Sequence, residues 1–321
     1  MTKPLPWRLR LPVFAAPMFL VSGPELVIAA CKAGIIGAFP TPNARPIGEL
    51  ERWMREITVA LDTARRDNPA AIIGPWCANL ITHSSNARLP QDLELIAKYK
   101  PPVVVTALGS PKPALEVVRR YGGLVFADVV NLTLARKAAA AGADGIACIA
   151  AGAGGHTGHL SPFAFMTAVR EFFDGTVVVG GGIADGAGIA GAIASGADLV
   201  YMGTRFICAA ESMAAPAYKD MVVDAGIDSL VTTDAITGTS ASWLKPSLVA
   251  NGYDPDNLPS APERRYGDEN NAKRWRDYWA AGQGVGATKR TEPVEAIVGE
   301  LELGYRKAIA RIAALAEDKR L

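Results

Sequence analysis

The 321 residues carry 33 Lys+Arg against 32 Asp+Glu, a formal net charge of +1, with half the residues apolar and a fifth charged. That composition fits a folded globular protein and excludes disordered and collagen-like chains, while the balanced charge argues against a nucleic-acid binder, which relies on phosphate neutralisation. No apolar run reaches the ~20 residues that cross a bilayer, and the opening stretch to Leu11 has charges and prolines but no apolar signal region, so a cytoplasmic protein is expected.

The length admits two domains or one large α/β barrel. Short β-branched runs alternate with Ala-rich helical stretches, the pattern of a parallel sheet covered by helices. In chain order the strands are expected at Val13 to Met18, Ile35 to Phe39, Ile72 to Leu80, Val103 to Leu108, Leu124 to Val129, Gly145 to Ile149, Val177 to Gly180 and Leu199 to Met202. Each is a short apolar run, as expected of strands buried on both faces. Helices are expected between them at Pro24 to Ala33, Ile47 to Arg66, Gln91 to Lys100, Pro113 to Tyr121, Leu132 to Ala141, Pro162 to Phe173 and Ala187 to Ser195. Three joints, at Gly34, Gly142 and Gly196, put a helix-ending glycine directly before a strand. Eight such units fit a (β/α)8 TIM barrel, with a doubly wound open sheet as the alternative.

After the eighth strand the rhythm breaks. A cap segment is expected at 211–286, inserted over the C-terminal mouth, with the barrel formed by 1–210 and 287–321. Within the cap, Glu263 to Trp279 reads as an amphipathic helix whose aromatics pack against the barrel. A last helix is expected near Pro293 to Leu315.

Cys31, Cys77, Cys148 and Cys208 are widely spaced in apolar runs, without metal-ligand spacing, and read as buried reduced thiols. No metal site is expected. The glycines after the seventh strand (Gly180-Gly181-Gly182) and Gly203-Thr204 after the eighth fit a barrel phosphate site, where backbone N–H groups approach an anion closely. The stretch Gly186 to Gly191 matches GxGxxG, but it lies inside a helix and reads as packing against the sheet, Gly191 included. Of three histidines, His156 stands in a Gly-rich loop after strand six, facing the mouth and opposite the phosphate loops, and is the catalytic candidate. His159 reads as a helix cap or a solvent-facing residue, and His83 as a weaker second candidate.

Gly154-Gly155-His156-x-Gly158, the loop Gly180 to Gly186 and Met202-Gly203-Thr204-Arg205-Phe206 together resemble the nitronate monooxygenase family of FMN-dependent barrels. The resemblance runs from Ala16-Pro17-Met18 to Ala281-Gly282-Gln283-Gly284. It implies FMN held non-covalently. Pro17, Met18 and Phe19 would approach the isoalloxazine, Asn79 would bond its polar edge, and Gly154 and Gly155 would pass beside it. Gly181, Gly182, Gly203 and Thr204 would hold the phosphate, and His156 matches the catalytic histidine. Where one branch of the family has Lys on strand five this chain has Asp128, expected beside the flavin. The usual Glu before Ala-Gly-Gly-His is Gly152, and Ile149 stands where relatives carry Gln or Asp. The implied reaction oxidises alkyl nitronates with O2 to a carbonyl compound and nitrite. The alternative is NAD(P)H-dependent reduction of an enoyl thioester or quinone. Two rivals remain beside these: a colourless barrel binding a phosphorylated metabolite, and an inert flavoprotein. A small-molecule substrate is expected, with no nucleic-acid or membrane partner, and a homodimer is compatible with the family.

Overall fold

The computed structural model describes residues 5–261 and 275–317. Eight mostly apolar runs pair in parallel and close on themselves: β1 (Val13–Ala15), β2 (Ile36–Pro40), β3 (Trp76–Ile81), β4 (Val103–Ala107), β5 (Leu124–Val129), β6 (Gly145–Ile149), β8 (Thr176–Gly180) and β9 (Leu199–Met202), with β9 returning to β1. The expected TIM barrel is therefore the fold, and the open sheet is ruled out by that closure. β3 starts at Trp76 rather than Ile72, because Pro75 has no N–H to give a ladder. β1 stops at Ala15 rather than Met18; Ala16 N still donates to Met202 O, and then the chain turns away.

Because strand side chains alternate, one set fills the lumen and the other meets the helices. Phe14, Cys77, Val105, Phe126, Val178 and Tyr201 share the inner cluster, with Leu5, Trp7 and Leu9 packed against it from the chain before β1. Phe14 meets Tyr201 edge-on at 5.0 Å between ring centres, so the barrel is plugged by aromatics below its mouth. All four cysteines are buried and free.

The helix–strand joints behave as read: Gly34, Gly142 and Gly196 have φ of 85°, 89° and 108°. The Asp two residues after the later two glycines does further work that the sequence did not reveal. Asp144 accepts from Val125 N at 3.0 Å and Asp198 from Val177 N at 2.7 Å, tying each strand start to its neighbour. Asn131 and Asp185 cap the helices Leu132–Ala141 and Gly186–Ala194, accepting from the third residue onward.

The GxGxxG stretch is helical, but its packing partner differs from expectation. A Cβ on Gly186 would sit 2.1 Å from Tyr305 N, so this glycine lets the C-terminal helix (Val294–Glu317) touch backbone to backbone, whereas a Cβ on Gly191 would meet nothing within 4 Å. Gly191 is thus not a packing residue. Gly191→Ala is expected to stabilise the protein by ~1 kcal/mol through helix propensity, while Gly186→Ala should cost about 2–3 kcal/mol by overpacking. Urea unfolding of the two variants checks the opposite signs.

Beyond β9 come a helical turn (Thr204–Ile207), a helix (Pro216–Asp224), strands β10 (Leu230–Thr233) and β11 (Ala241–Leu244), and a helix (Lys245–Ala250). β10 and β11 form an antiparallel sheet whose third strand is β7 (Gly155–His156), supplied by the loop after β6. The sheet therefore straddles the boundary drawn at residue 210. Most of the expected helix Glu263 to Trp279 lies outside the described residues. Its described aromatics pack on the cap and on the barrel end alike. Trp275 lies against Trp243 at 4.6 Å, Tyr278 against Tyr253 at 5.6 Å and Trp279 against Tyr218 at 5.2 Å, all cap residues. Trp275 also meets His156, and Trp279 packs on a cluster that includes Val21, Ile207 and Cys208 of the barrel. The cap has its own buried apolar centre around Trp243.

Candidate active site

The C-terminal ends of the strands open under the cap sheet. In the top layer of the lumen, Asn79 from β3 reaches across to Asp128 from β5, its Nδ2 donating to Asp128 Oδ2 at 3.5 Å and to Val105 O at 3.3 Å. Tyr201 from β9 lies beside the same carboxyl. Asp128 Oδ1 and the Tyr201 hydroxyl are both sealed from solvent, with the hydroxyl against the Asp128 carboxyl. Burial pushes the Asp128 carboxyl up to about 7, with the neighbouring Tyr201 hydroxyl pulling it partly back. Burial, then the charge of Asp128, holds the Cys77 thiol far above its usual range. Two sequence-chosen residues, Asn79 and Asp128, are thus in contact in the top layer of the lumen.

The loop after β1, with Pro17, Met18 and Phe19 partly exposed, is clamped by a residue the sequence reading passed over. Asn43 donates to Met18 O at 3.0 Å and to Ser22 O at 2.8 Å, and accepts from Leu20 N at 2.9 Å. One side chain thereby holds three points of the loop. Leu20 sits at φ 62°, and Leu108, after β4, at φ 61°. Both are bulky residues in the left-handed region, and both are in loops at the mouth, where such strain concentrates. An Asn a few residues past a strand carries no signal that would single it out.

His156 is presented on β7. Its backbone partner is Ala241 in β11, and the next residue is anchored by Thr157 N donating to Ser240 O at 3.1 Å. Trp275 meets the His156 ring edge-on at 5.1 Å and covers Gly155, where a Cβ would approach the indole to 3.6 Å. Trp275 carried no expected binding role, and the structure puts it against the catalytic candidate. His159 is exposed, and the cap position of the next helix belongs to Ser161, which makes no side-chain cap bond, so of its two readings the solvent-facing one holds. His83 Nδ1 is 2.7 Å from Ser85 Oγ, in the loop after β3.

The candidate phosphate loops meet the segment 281–284. Gly152 O accepts from Gly182 N at 3.0 Å and from Gln283 N at 2.9 Å, joining the loops after β6 and β8 to the cap. The Gly182 amide is therefore engaged within the protein, and what that residue offers an anion is the open face left by its missing side chain. Thr204 Oγ1 accepts from Gly282 N at 2.9 Å, which fixes the hydroxyl next to the Gly203-Thr204 turn. A Cβ on Gly203 would point at Met18 Sδ, 3.6 Å away, so this turn and the first-strand loop face one another. Gly181 has φ 143° and would bring a Cβ to 2.5 Å from Ala151 O, so that only glycine fits. Arg205 is buried and pairs with Glu292 at 2.5 Å and Glu300 at 3.0 Å, pinning the turn to the approach of the C-terminal helix.

A cavity of about 550 Å³ lined by Lys245, Val249 and Pro255 shares none of these residues and lies on the cap alone. Among the described residues no group of His, Cys, Asp and Glu could hold a metal ion, and no helix is long and apolar enough to cross a membrane.

Comparison with known proteins agrees with this geometry. The family described as "Nitronate monooxygenase" matches residues 6–302. A nitronate monooxygenase of Paraburkholderia phytofirmans is 27% identical, with 94% of each chain covered, and one of Neurospora crassa is 28% identical over 95% of this chain and 91% of the relative. Among solved structures, nitroalkane oxidase from Streptomyces ansochromogenes superposes with a TM-score of 0.79 at 23% identity, covering 95% of this chain and 98% of that one. FabK from Thermotoga maritima superposes at 0.75 and 24% identity, with 96% of each chain covered.

Proposed function

Since the chain belongs to the nitronate monooxygenase family, we propose that it is an FMN-dependent oxidoreductase that oxidises alkyl nitronates with O2, giving a carbonyl compound and nitrite. The observation that carries this reading is the family match itself, which runs through barrel and cap alike, including the strand that brings His156 to the mouth. An enzyme of this family is an oxidoreductase, and the nitroalkane oxidase likeness supports the same barrel. The reductase alternative has the FabK likeness, which at 24% identity speaks for the fold alone.

The residues present fit a flavin. The mouth floor offers the Asn79 amide and the Asp128 carboxyl side by side, groups of the kind a polar ring edge bonds. Gly181, Gly182, Gly203 and Thr204 border an opening beside the loop of Pro17, Met18 and Phe19, with Gly154 and Gly155 on the opposite side. In this reading the glycines admit the phosphate, Asn79 and Asp128 meet the polar edge, and the flavin, when bound, accepts the electrons of the substrate.

The chain's own residues then do the rest. His156 stands at the mouth where an anionic nitronate would lie, binding it or moving a proton. Trp275 walls one side of that position and keeps the imidazole in place through its edge contact. His156 is exposed at the mouth, held there by the cap sheet through its pairing with Ala241. The scheme takes a small-molecule substrate and O2 in the cytoplasm, with no nucleic-acid or membrane partner.

The purified protein is expected to be yellow, to release one FMN per chain on acid treatment and to bleach anaerobically with an alkyl nitronate, forming nitrite on admission of O2. A colourless protein that takes up no added FMN sinks the cofactor. Bleaching by NADH or NADPH but not by nitronates would move the assignment to the reductase.

A further inference from the structure

The loop after β1 is bound both from within and from outside. Met18 N donates to Ser22 Oγ at 3.0 Å, and Met18 O accepts from Val21 N at 3.2 Å and Ser22 N at 3.0 Å, so residues 18–22 close into a turn around a buried serine. Leu20 stands in the left-handed region at φ 62°, which a leucine keeps only when its surroundings hold it there. Asn43 supplies that hold: its Oδ1 takes the Leu20 amide, and its Nδ2 reaches Met18 O and Ser22 O on either side. The turn faces the candidate cofactor site, since a Cβ on Gly203 would meet Met18 Sδ first, at 3.6 Å.

Asn43 is itself held. It ends the short helical turn Thr41–Asn43 after β2, and the carbonyls on both sides of it are gathered by one guanidinium. Arg88, at the start of the helix Leu89–Tyr99, donates from Nη1 to Ala44 O and Arg45 O at 2.6 Å each, and from Nη2 to Thr41 O at 2.7 Å. Its Nε pairs at 2.8 Å with Asp92, which is fully buried and also accepts from Thr41 Oγ1 at 3.1 Å. The planar fork ties both flanks of Asn43 to the helix after β3, which a lysine ammonium cannot reproduce. A buried ion pair contributes little net stability; what this one supplies is a fixed geometry for three backbone oxygens.

We propose that Asn43 is a positioning residue for the cofactor: it sets the loop of Pro17, Met18 and Phe19 against the flavin, and Arg88 with Asp92 sets Asn43. Resting on the flavin reading above, this relay runs from the helix after β3, through the turn after β2, to the loop after β1. Its side chains act through the backbone atoms of those loops.

Three measurements on the purified protein separate positioning from mere folding. Titration of flavin-free protein with FMN reads affinity, visible circular dichroism of the bound flavin reads how the ring is seated, and urea unfolding without flavin reads the fold. Asn43→Ala should bind FMN about tenfold or more weakly, the worth of one ordinary hydrogen bond among the three lost, with a changed dichroism. Asn43→Asp is nearly isosteric. It keeps the acceptor for Leu20 N but sets a carboxylate against Met18 O and Ser22 O, so it should be at least as damaging as alanine. Were Asn43 only filling space, the aspartate would behave as wild type. Arg88→Lys keeps a charge beside Asp92 but loses the fork, and should weaken FMN binding about threefold, with the dichroism changed in the same sense. In an Asn43→Ala background, Arg88→Lys should add less than a factor of about two, because a relay acts through its last member.

An Asn43→Asp variant with wild-type affinity and dichroism, or an Asn43→Ala variant that loses urea stability alone, would overturn the proposal while leaving the flavin reading standing. So would an Arg88→Lys effect as large in the double variant as in the single one. Should Asn43→Ala not fold, Asn43→Asp and Arg88→Lys decide on affinity and dichroism: both readouts altered uphold the proposal, and unchanged values refute it. Failure of the wild type to bind FMN removes the flavin reading, and the proposal with it.

Discussion

His156→Ala is expected to keep FMN and the fold but lose flavin reduction by nitronate by a factor on the order of 10²–10⁴, the usual contribution of a positioned acid–base group. The fold should survive because β7 is held by backbone pairing to Ala241 and Ser242 and by the Thr157–Ser240 bond, none of which involves the imidazole. His159→Ala, at an exposed residue three positions on, should leave the rate within a factor of about two, as surface substitutions generally do. Trp275→Ala separates positioning from chemistry. It removes the wall against which the imidazole rests, so KM should rise more than kcat falls. Stopped-flow reduction under anaerobic conditions measures all three variants. Equal losses at His156 and His159 would remove His156 from the mechanism and leave the family assignment untouched.

The barrel was legible because its signals are local. Short, mostly apolar runs and glycine joints at 34, 142 and 196 announce buried parallel strands without any knowledge of tertiary contacts. Strand ends slipped by a few residues where pairing decides them, as at Pro75, and where the chain leaves the sheet after Ala15. The site was legible in a coarser sense. Glycines that must be glycine, such as Gly181, and a histidine among them stand out in a list of residues.

What holds those residues in place does not. Asn43 binds the loop after β1 from 21 to 25 residues away in sequence, and nothing in its neighbourhood marks it. Asp144 and Asp198 fix strand starts through bonds that span about 20 residues. The packing role given to Gly191 failed for the same reason, since only the structure reveals that Gly186 is the one touching the C-terminal helix. The cap aromatics were placed only in part, because an amphipathic pattern states that a face is buried, not how that face is shared between barrel and cap.

Gly154→Val should be the most damaging change to cofactor binding that leaves every polar side chain in place. A Cβ there would lie 2.6 Å from Gly282 N and 2.8 Å from Ala281 C, and both are backbone atoms that cannot rotate aside. The segment 281–284 must then move out. Its departure breaks the Gly282–Thr204 bond and the Gln283–Gly152 bond, which releases the hydroxyl beside the candidate phosphate turn and uncouples the loops after β6 and β8. Overpacking of this kind costs about 1–3 kcal/mol, and each lost hydrogen bond adds ~1 kcal/mol, so a total near 3–4 kcal/mol is expected. Whatever part of that falls on the bound state appears as lost affinity, at 1.4 kcal/mol for each factor of ten, so FMN should bind at least tenfold more weakly. Gly182→Ala is the contrast. It meets nothing nearer than Gln283 Cβ at 3.9 Å, and its φ of 69° costs an L-residue only about 1–2 kcal/mol. Titration of flavin-free protein with FMN, alongside urea unfolding, ranks the two. If Gly154→Val binds FMN as tightly as Gly182→Ala, the 281–284 segment plays no part in forming the cofactor site, and the match of the family through the cap reflects packing alone.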